Sequence, residues 1–128
     1  MQVLWFKRDL RLSDHLPLFE AMRNAKHHGL VLPLYIHEPS QISDSHTARQ
    51  HQLFVHECLE DLQHQLNNVG GYLHEELGEA VDVLAALHTQ FKFTHLWAHQ
   101  ETTQLSQYAR DKAVAAWCKN AGVTFTEL

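Results

Sequence analysis

The chain is poor in cysteine, with only Cys58 and Cys118 among its 128 residues. The two lie far apart on helical patterns and form no CxxC pair, which argues against a disulfide framework and against a zinc site. We expect both to be small buried hydrophobic side chains. Long apolar runs are also missing, since stretches such as 30–36 are far too short to cross a bilayer. Residue 1 leads into a predicted strand without a signal or transit sequence, so we expect a cytoplasmic protein.

Basic residues are scarce as well. Ten Lys and Arg stand against fifteen Asp and Glu, which gives a formal net charge of -5. Because proteins that wrap a phosphate backbone gain affinity from cationic contacts and counterion release, this balance argues against direct DNA binding by this stretch. The length and the 45% hydrophobic content predict one domain, 1–128, with one core.

Glycine-rich phosphate loops are absent from the sequence. No GxGxxG and no GxxxxGK[ST] follows the first predicted strand, which excludes a dinucleotide fingerprint and a P-loop. No GxSxG elbow and no Cys–His pairing supplies a nucleophile. We therefore predict no catalytic residue in this stretch.

Histidine is abundant, with twelve residues, but its spacing does not favour a metal site. His56, Glu60 and His64 share one helix face, and Glu60 stands where an HExxH zinc motif needs its second histidine. The opposite side of this helix is apolar, which indicates a solvated polar face. We predict no metal site.

The chain does contain a regular alternation of two patterns. Five short segments rich in β-branched or aromatic residues are separated by stretches of helical periodicity. This alternation predicts parallel strands joined by right-handed crossover helices, which cover both faces of the sheet. The predicted strands are 3–6, 31–36, 72–75, 95–98 and 123–127.

Four helices are predicted between these strands. The first contains Pro17 in its first turn, with Ser13 or Asp14 as its cap, and the second runs from a capping box at 47–50 to a stop at Gly70. The residues predicted to face the core are Val55, Leu59, Leu62, Leu66 and Val69 in the second helix, Ala80, Val83, Leu84 and Leu87 in the third, and Leu105, Ala109, Ala113, Ala116 and Trp117 in the fourth.

Polar loops follow three of the predicted strands, at 7–15, 37–46 and 99–104. The loops that lead into strands are short connectors. In an open parallel sheet the ligand crevice lies beyond the carboxyl ends of the strands. This asymmetry predicts one functional edge.

The first of these loops alternates in charge through Arg8, Asp9, Arg11 and Asp14. One interpretation is a solvated loop with weak surface ion pairs. The other is a rigid electrostatic corner at an interface. If the first and fourth strands are neighbours, a second Arg–Asp pair, at 110–111, would lie near the same edge of the sheet.

Four segments together carry a family resemblance. They are "WFKRDLRLSDHLPLFEA", "VLPLYIHEP", "GEAVDVLAALH" and "HLWAHQETTQLSQYARDKAVAAWCKNAGV". In this order they resemble the amino-terminal α/β domain of the DNA photolyase and cryptochrome family, over essentially the whole chain. The resemblance implies a Rossmann-like three-layer α/β/α fold with a five-stranded parallel sheet in the order 3-2-1-4-5. The switch point would lie between the first and fourth strands.

The resemblance also implies a function. Family members are flavoproteins that use light-excited FAD to repair pyrimidine dimers in DNA, or that sense blue light. Their FAD pocket and DNA-binding surface lie in a helical domain that follows this one and is absent from the 128 residues. The α/β domain supports an antenna chromophore, a folate, deazaflavin, flavin or lumazine, in the cleft between the domains.

The chain would then be the antenna domain of a deoxyribodipyrimidine photo-lyase, a carbon–carbon lyase, or of a cryptochrome. This fragment alone would not be an enzyme. Its partner would be the FAD-binding domain of the same protein, and it would reach DNA only through that domain.

The resemblance and the loop positions suggest two sets of site residues. Those expected to face the antenna cofactor are Lys7, Asp9, Arg11, His46, Gln100, Glu101 and Gln104. Those expected to hold loops and the domain interface are Arg8, Asp14, Arg110 and Asp111.

Two other functions remain open on the sequence. One is a stand-alone nucleotide- or flavin-binding module of flavodoxin-like or stress-protein type, without photochemistry. Such a phosphate site would need a Ser-, Thr- or Gly-rich loop after the first strand. The other is an interaction domain without a ligand. Half of a two-domain protein should expose an apolar patch near the ends of the first and fourth strands.

Overall fold

The computed structural model of the chain describes residues 1–7, 10–12, 15–28, 30–41, 46–100 and 105–128. In these ranges, strands and α-helices alternate, and a short 3-10 turn, Pro39–Gln41, follows the second strand. None of the helices in the described ranges is both long and apolar enough to cross a membrane. The elements are β1 (Gln2–Phe6), α1 (Leu16–His28), β2 (Val31–His37), α2 (His46–Asn68), β3 (His74–Leu77), α3 (Ala80–Phe91), β4 (His95–Ala98), α4 (Leu105–Ala121) and β5 (Thr124–Glu127).

The five strands form one parallel sheet in the order β3-β2-β1-β4-β5, which confirms the predicted topology. The central strand β1 is buried along its whole length. Its Val3 lies level with Leu32 of β2 and Leu96 of β4. The strand order reverses between β1 and β4, so the switch point lies at their carboxyl ends.

The core is divided by the sheet into two layers. Val3 and Trp5 of β1 belong to a cluster with α3 and α4, whereas Leu4 and Phe6 belong to a cluster with α1 and α2. Because successive strand side chains point to opposite faces, both faces of β1 are apolar. The predicted three-layer α/β/α architecture is therefore confirmed.

A buried amide, Gln2, joins three elements inside this core. Its Nε2 donates to the Ala21 carbonyl of α1 at 3.1 Å, and its Oε1 accepts from Trp97 Nε1 of β4 at 2.7 Å. Both ends of the amide are satisfied, so its burial does not leave a costly unpaired polar group. These two hydrogen bonds hold α1 in a fixed position against β1 and β4.

The third strand begins later than the sequence pattern predicts. We expected 72–75, but Tyr72 is exposed and pairing with β2 begins at His74, opposite Leu34. Before the strand, the Leu73 N–H donates to Gln63 Oε1 of α2 at 2.6 Å. The observed strand is acidic because it is an edge strand, where charged residues oppose further pairing.

The prediction for the buried face of α4 is wrong except at Trp117, which is partly buried against the core. Leu105 is 88% exposed, and the alanines at 109, 113 and 116 face solvent. The buried residues of this helix are Gln107, Asp111, Val114 and Cys118. The apolar pattern failed here because the first half of the buried face is polar. In α3, by contrast, the four predicted core residues are the buried ones.

The second helix agrees with the prediction in its centre and differs at its ends. Leu59, Leu62 and Leu66 are buried, but Val69 is exposed because the helix ends at Asn68. Gly70 follows with φ +81, a left-handed conformation that suits glycine. The helix begins at His46, one residue before the predicted Thr47 cap.

The first helix is capped by His15, whose Nδ1 accepts from the Leu18 N–H at 3.0 Å. Pro17 lies in the first turn, as predicted. We expected the cap at Ser13 or Asp14, and both lie outside the described residues.

Candidate functional site

Lys7, the first residue after β1, points into the protein. Its side chain is 1% exposed, and its Nζ lies 3.0 Å from Asp111 Oδ2 of α4. The same ammonium donates to the His99 carbonyl, just after β4, at 3.0 Å. One buried cation thus joins the carboxyl ends of β1 and β4 to α4. A buried charge is tolerated because it is paired and hydrogen-bonded.

Arg110 extends this arrangement toward β2. Its Nε donates to Asp111 Oδ1 at 3.0 Å, and its Nη1 donates to Glu38 Oε1 at 2.9 Å. Glu38 is the first residue after β2. Both oxygens of Asp111 are therefore bonded to cations, and charges alternate from Lys7 to Glu38. We call these four residues, Lys7, Asp111, Arg110 and Glu38, the charged corner.

An aromatic ring supports the two cations of the charged corner. Lys7 Nζ lies 4.6 Å from the centre of the Trp5 ring, and Arg110 Cζ lies 5.0 Å from it. Both distances are in the range of cation–π attraction, which is stronger where water is excluded. Because Trp5 is part of the core, the corner is fixed to the rigid centre of the sheet.

Glu38 has an unusual environment for a carboxyl group. Burial raises its pKa to about 7, against the opposing effect of the nearby Arg110 guanidinium. Glu38 Oε2 is buried and has no hydrogen-bond partner in the part of the chain that the structure describes. The corner therefore holds one carboxyl group that is poorly stabilised as an anion.

Two histidines lie beside this corner at the switch point. The His15 and His99 rings are 4.4 Å apart at 42°, and His15 also contacts the edge of Phe6 at 4.9 Å. The tilted contact of the two rings thus links the start of α1, which touches Phe6 of β1, to the end of β4.

Three of the predicted site residues come together in the structure: Lys7, Arg110 and Asp111. Arg11 is exposed, and so is Gln100, whose backbone N–H donates to the Leu128 carbonyl at 3.0 Å. His46 is the first residue of α2, and its side chain is not described. The remaining predicted residues, Arg8, Asp9, Asp14, Glu101 and Gln104, lie outside the described residues.

The sequence analysis missed Glu38, His15 and His99. A usable signal existed for Glu38, because it is the first residue after a parallel strand, as Lys7 is. No pattern in the sequence indicated that the two histidines would contact each other. Their contact follows only from the pairing of β1 with β4.

Within the described ranges, no three His, Cys, Asp or Glu residues are arranged to hold a metal ion. On α2, His56 Nε2 lies 2.9 Å from Glu60 Oε1, with both side chains largely exposed. This helix face therefore carries a surface ion pair when His56 is protonated.

An apolar groove of about 640 Å³ lies on α1. Leu16, Phe19 and Met22 are 51%, 62% and 58% exposed and form one side of the helix, away from the buried Ala21. Leu12, His15 and Leu18 complete the lining. Helix α1 begins just beyond the end of β1 and packs on β1 and β4. The groove therefore lies where an exposed apolar patch is expected for half of a two-domain protein.

Comparison with known proteins gives a consistent result. The family model described as DNA photolyase matches residues 2–128. The chain is 30% identical to Cryptochrome-1 of Aedes aegypti, with 98% of this chain and 23% of that protein aligned. It is 31% identical to the deoxyribodipyrimidine photo-lyase of Agrobacterium fabrum, over 95% of this chain and 24% of that protein.

Solved structures show the same likeness. A bacterial class III photolyase from Agrobacterium tumefaciens superposes with a TM-score of 0.85 at 28% identity, over 99% of this chain and 25% of that one. An archaeal photolyase from Sulfolobus tokodaii has a TM-score of 0.79 at 24% identity, over 99% of this chain and 29% of that one, which shows a shared fold. The chain spans about a quarter of the length of the relatives it matches.

Proposed function

The chain belongs to the DNA photolyase family, and from that premise we propose that it is the amino-terminal antenna domain of a light-dependent DNA repair photolyase or of a cryptochrome. In this proposal a helical FAD-binding domain completes the protein. An antenna chromophore lies in the cleft between the two domains and passes its excitation energy to FAD. Repair of pyrimidine dimers, where it occurs, belongs to the completed protein.

The observation that carries the docking part of this proposal is the apolar groove on α1. Three large apolar side chains exposed by half or more on one helix face form a patch that soluble monomers tend to avoid. The length of the relatives supplies an occupant, because about three quarters of each has no counterpart in this chain. We propose that the FAD-binding domain covers Leu16, Phe19 and Met22.

The charged corner has a supporting role in the proposal. Lys7, Asp111 and Arg110 fix the ends of β1, β4 and α4 relative to one another, and the crevice between these strand ends is the region that would face the antenna. A chromophore that transfers energy needs a fixed distance and orientation to its acceptor. A rigid charged corner at the cleft would hold this distance and this orientation constant.

The antenna contacts remain a proposal for a set of side chains at this edge: Lys7, Asp9, Arg11, His46, Gln100, Glu101 and Gln104. Arg11 and Gln100 are exposed and therefore accessible to a ligand. For Lys7 a direct contact requires its Nζ to leave Asp111 or the His99 carbonyl, and we therefore propose that it positions its neighbours. The description of the Sulfolobus tokodaii photolyase, with two FAD molecules and an implied novel light-harvesting cofactor, supports a flavin as one class of antenna.

The docking proposal is tested by binding to the helical FAD-binding domain of a full-length family member. The double variant Leu16→Ser/Phe19→Ser should weaken binding at least about 30-fold, because central apolar anchors contribute about 2 kcal/mol or more to an interface. Leu53→Ser/Phe54→Ser on α2 is the matched control, since these residues are 65% and 63% exposed outside the groove. Equal affinity of the two double variants would contradict the proposed docking face.

Flavin titration distinguishes the antenna-domain proposal from the alternative of a stand-alone flavin-binding module. Half of an interdomain cleft offers too few contacts for tight binding, so the chain alone should bind FMN weakly. Tight binding with 1:1 stoichiometry by the isolated chain would instead favour a flavodoxin-like module.

A further inference from the structure

The first turns of α2 carry apolar side chains on the side of the helix that faces away from the core. Every residue from 49 to 54 is exposed, and Leu53 and Phe54 are 65% and 63% exposed. Leu53 precedes the buried Leu62 by about two and a half helical turns, so the two side chains point in opposite directions. Leu53 therefore points to solvent, where an apolar side chain is available to a partner.

Charged residues flank Leu53 symmetrically on this outward side. Arg49 lies one helical turn before Leu53 and Glu57 lies one turn after it, and both are exposed. Because residues four apart are neighbours on one helix face, the three side chains form a row of cation, apolar group and anion. We call these three residues, Arg49, Leu53 and Glu57, the outer stripe of α2.

The outer stripe is complementary to itself in one orientation only. When two copies of α2 lie antiparallel about a two-fold axis at Leu53, each Arg49 lies opposite Glu57 of the other copy, and the two Leu53 side chains meet on the axis. A parallel pair would place like charges opposite each other, which is unfavourable. The axes of packed helices lie about 8–10 Å apart, a distance that arginine and glutamate side chains can bridge together.

We propose that the outer stripe of α2 is a docking surface for a second copy of this chain, which binds antiparallel about Leu53. Phe54 lies next to Leu53 and widens the apolar centre of the contact. The two ion pairs set the orientation, since exposed pairs add little free energy whereas like charges oppose association. Two helix segments bury less surface than the interface of a stable complex, so the dimer is weak and forms at about 100 μM.

The orientation of the two copies is tested by sedimentation of the 128-residue chain from about 10 μM to about 1 mM. Arg49→Glu and Glu57→Arg each turn both ion pairs into like-charge contacts, so each variant alone should associate at least about tenfold more weakly than the parent. An equimolar mixture of the two variants should associate like the parent, because every contact then joins opposite charges again. Recovery in the mixture cannot arise from a folding defect in either variant.

The matched control for net charge is Arg23→Glu on α1. Its side chain is 70% exposed, and the variant changes the net charge as Arg49→Glu does, so it should associate like the parent. A chain that is monomeric at every concentration would overturn the proposal. Association that persists in both charge variants alone, or that fails to recover in their mixture, would also overturn it.

A second variant distinguishes a second copy from the FAD-binding domain as the occupant of the stripe. Leu53→Ser/Phe54→Ser should lose self-association and keep the affinity of the parent for the FAD-binding domain, measured well below about 100 μM. Weaker binding to that domain, with self-association unchanged, would assign the stripe to the domain and overturn the proposed dimer.

Discussion

Lys7 Nζ and Asp111 Oδ2 lie 3.0 Å apart, although 104 residues separate them in the sequence. The pair joins the end of the central strand to the helix that follows β4, and neither side chain is more than 6% exposed. Such a pair cannot be formed by a solvated loop. The two interpretations of the charged loop rested on Arg8, Asp9, Arg11 and Asp14, of which only the exposed Arg11 is among the described residues, so they stay open; the buried charge at this edge belongs to Lys7.

Removal of one member of this pair should be costly. We predict that Asp111→Asn lowers the free energy of unfolding by about 3–5 kcal/mol, because the Lys7 ammonium is left buried without its counterion. Urea unfolding of the variant and the parent chain measures the change. The control is Glu60→Gln, which removes an exposed partner of His56 and should change stability by less than about 1 kcal/mol. A loss below 1 kcal/mol for Asp111→Asn would contradict the assigned role.

The double variant Lys7→Met/Asp111→Leu tests the same pair without a stranded ammonium, and Arg110 keeps Glu38 as a carboxylate partner. We expect it to be more stable than Asp111→Asn, because replacing a buried ion pair with apolar groups of similar size is often neutral or favourable. Chemical unfolding again provides the comparison. A double variant less stable than the single one would show that the pair contributes more than it costs in desolvation.

Glu38 should also make global stability depend on pH. Its folded pKa of about 7 exceeds the ordinary 4.5, so the folded state binds more protons between these values, and stability falls as pH rises through this window. The expected loss from pH 5 to pH 8 is about 3 kcal/mol at most. The difference in unfolding free energy between the parent and Glu38→Gln, measured across the window, isolates this contribution from the histidines. A flat difference would be inconsistent with a proton on Glu38.

Lys92 is a separate source of strain. It ends α3 in the left-handed conformation, with φ 54 and ψ 44, while its N–H donates to the His88 carbonyl. Glycine adopts this conformation without a Cβ clash, so Lys92→Gly should raise the free energy of unfolding by about 1 kcal/mol. Lys92→Ala, which removes the charge and keeps the Cβ, should not reproduce the gain. Thermal and urea unfolding of the two variants decide between the backbone and the charge.

The two cysteines should differ strongly in reactivity. Cys118 lies in the core between α4 and the sheet, and burial raises the pKa of its thiol to about 12. Because the thiolate is the reactive form, Cys118 should be alkylated at least about 100-fold more slowly than the partly exposed Cys58 in the folded chain. Mass spectrometry after timed alkylation gives both rates, and the difference should disappear in denaturant. Equal rates in the native chain would place Cys118 outside the core.

The sheet was predictable because its signals are local. Five short segments separated by helical periodicity predict parallel strands, and β4 lies at the predicted residues, whereas the strand order was implied by the family resemblance. The buried face of α4 was not predictable by the same logic. Gln107 and Asp111 are polar but buried, and the partner of Asp111, Lys7, comes from a distant part of the chain.

The candidate site was predictable only in part for the same reason. The segments 7–15 and 110–111 pointed to the edge of the sheet where the charged corner lies, since loops after parallel strands meet there. The contact of Arg110 with Glu38 depends on the approach of α4 to the end of β2, for which the sequence holds no spacing rule. Long-range polar pairs of this kind can be identified only from the three-dimensional structure.

The most direct test of the proposed function is the composition of the particle that contains this chain in cells that produce it. An affinity tag on the chain, followed by native mass spectrometry and an absorption spectrum, gives its mass and its cofactors. We predict a particle several times heavier than 14.8 kDa that contains FAD, either as one longer polypeptide or as a tight complex. A chain of 14.8 kDa, alone and without flavin, would contradict the antenna-domain proposal.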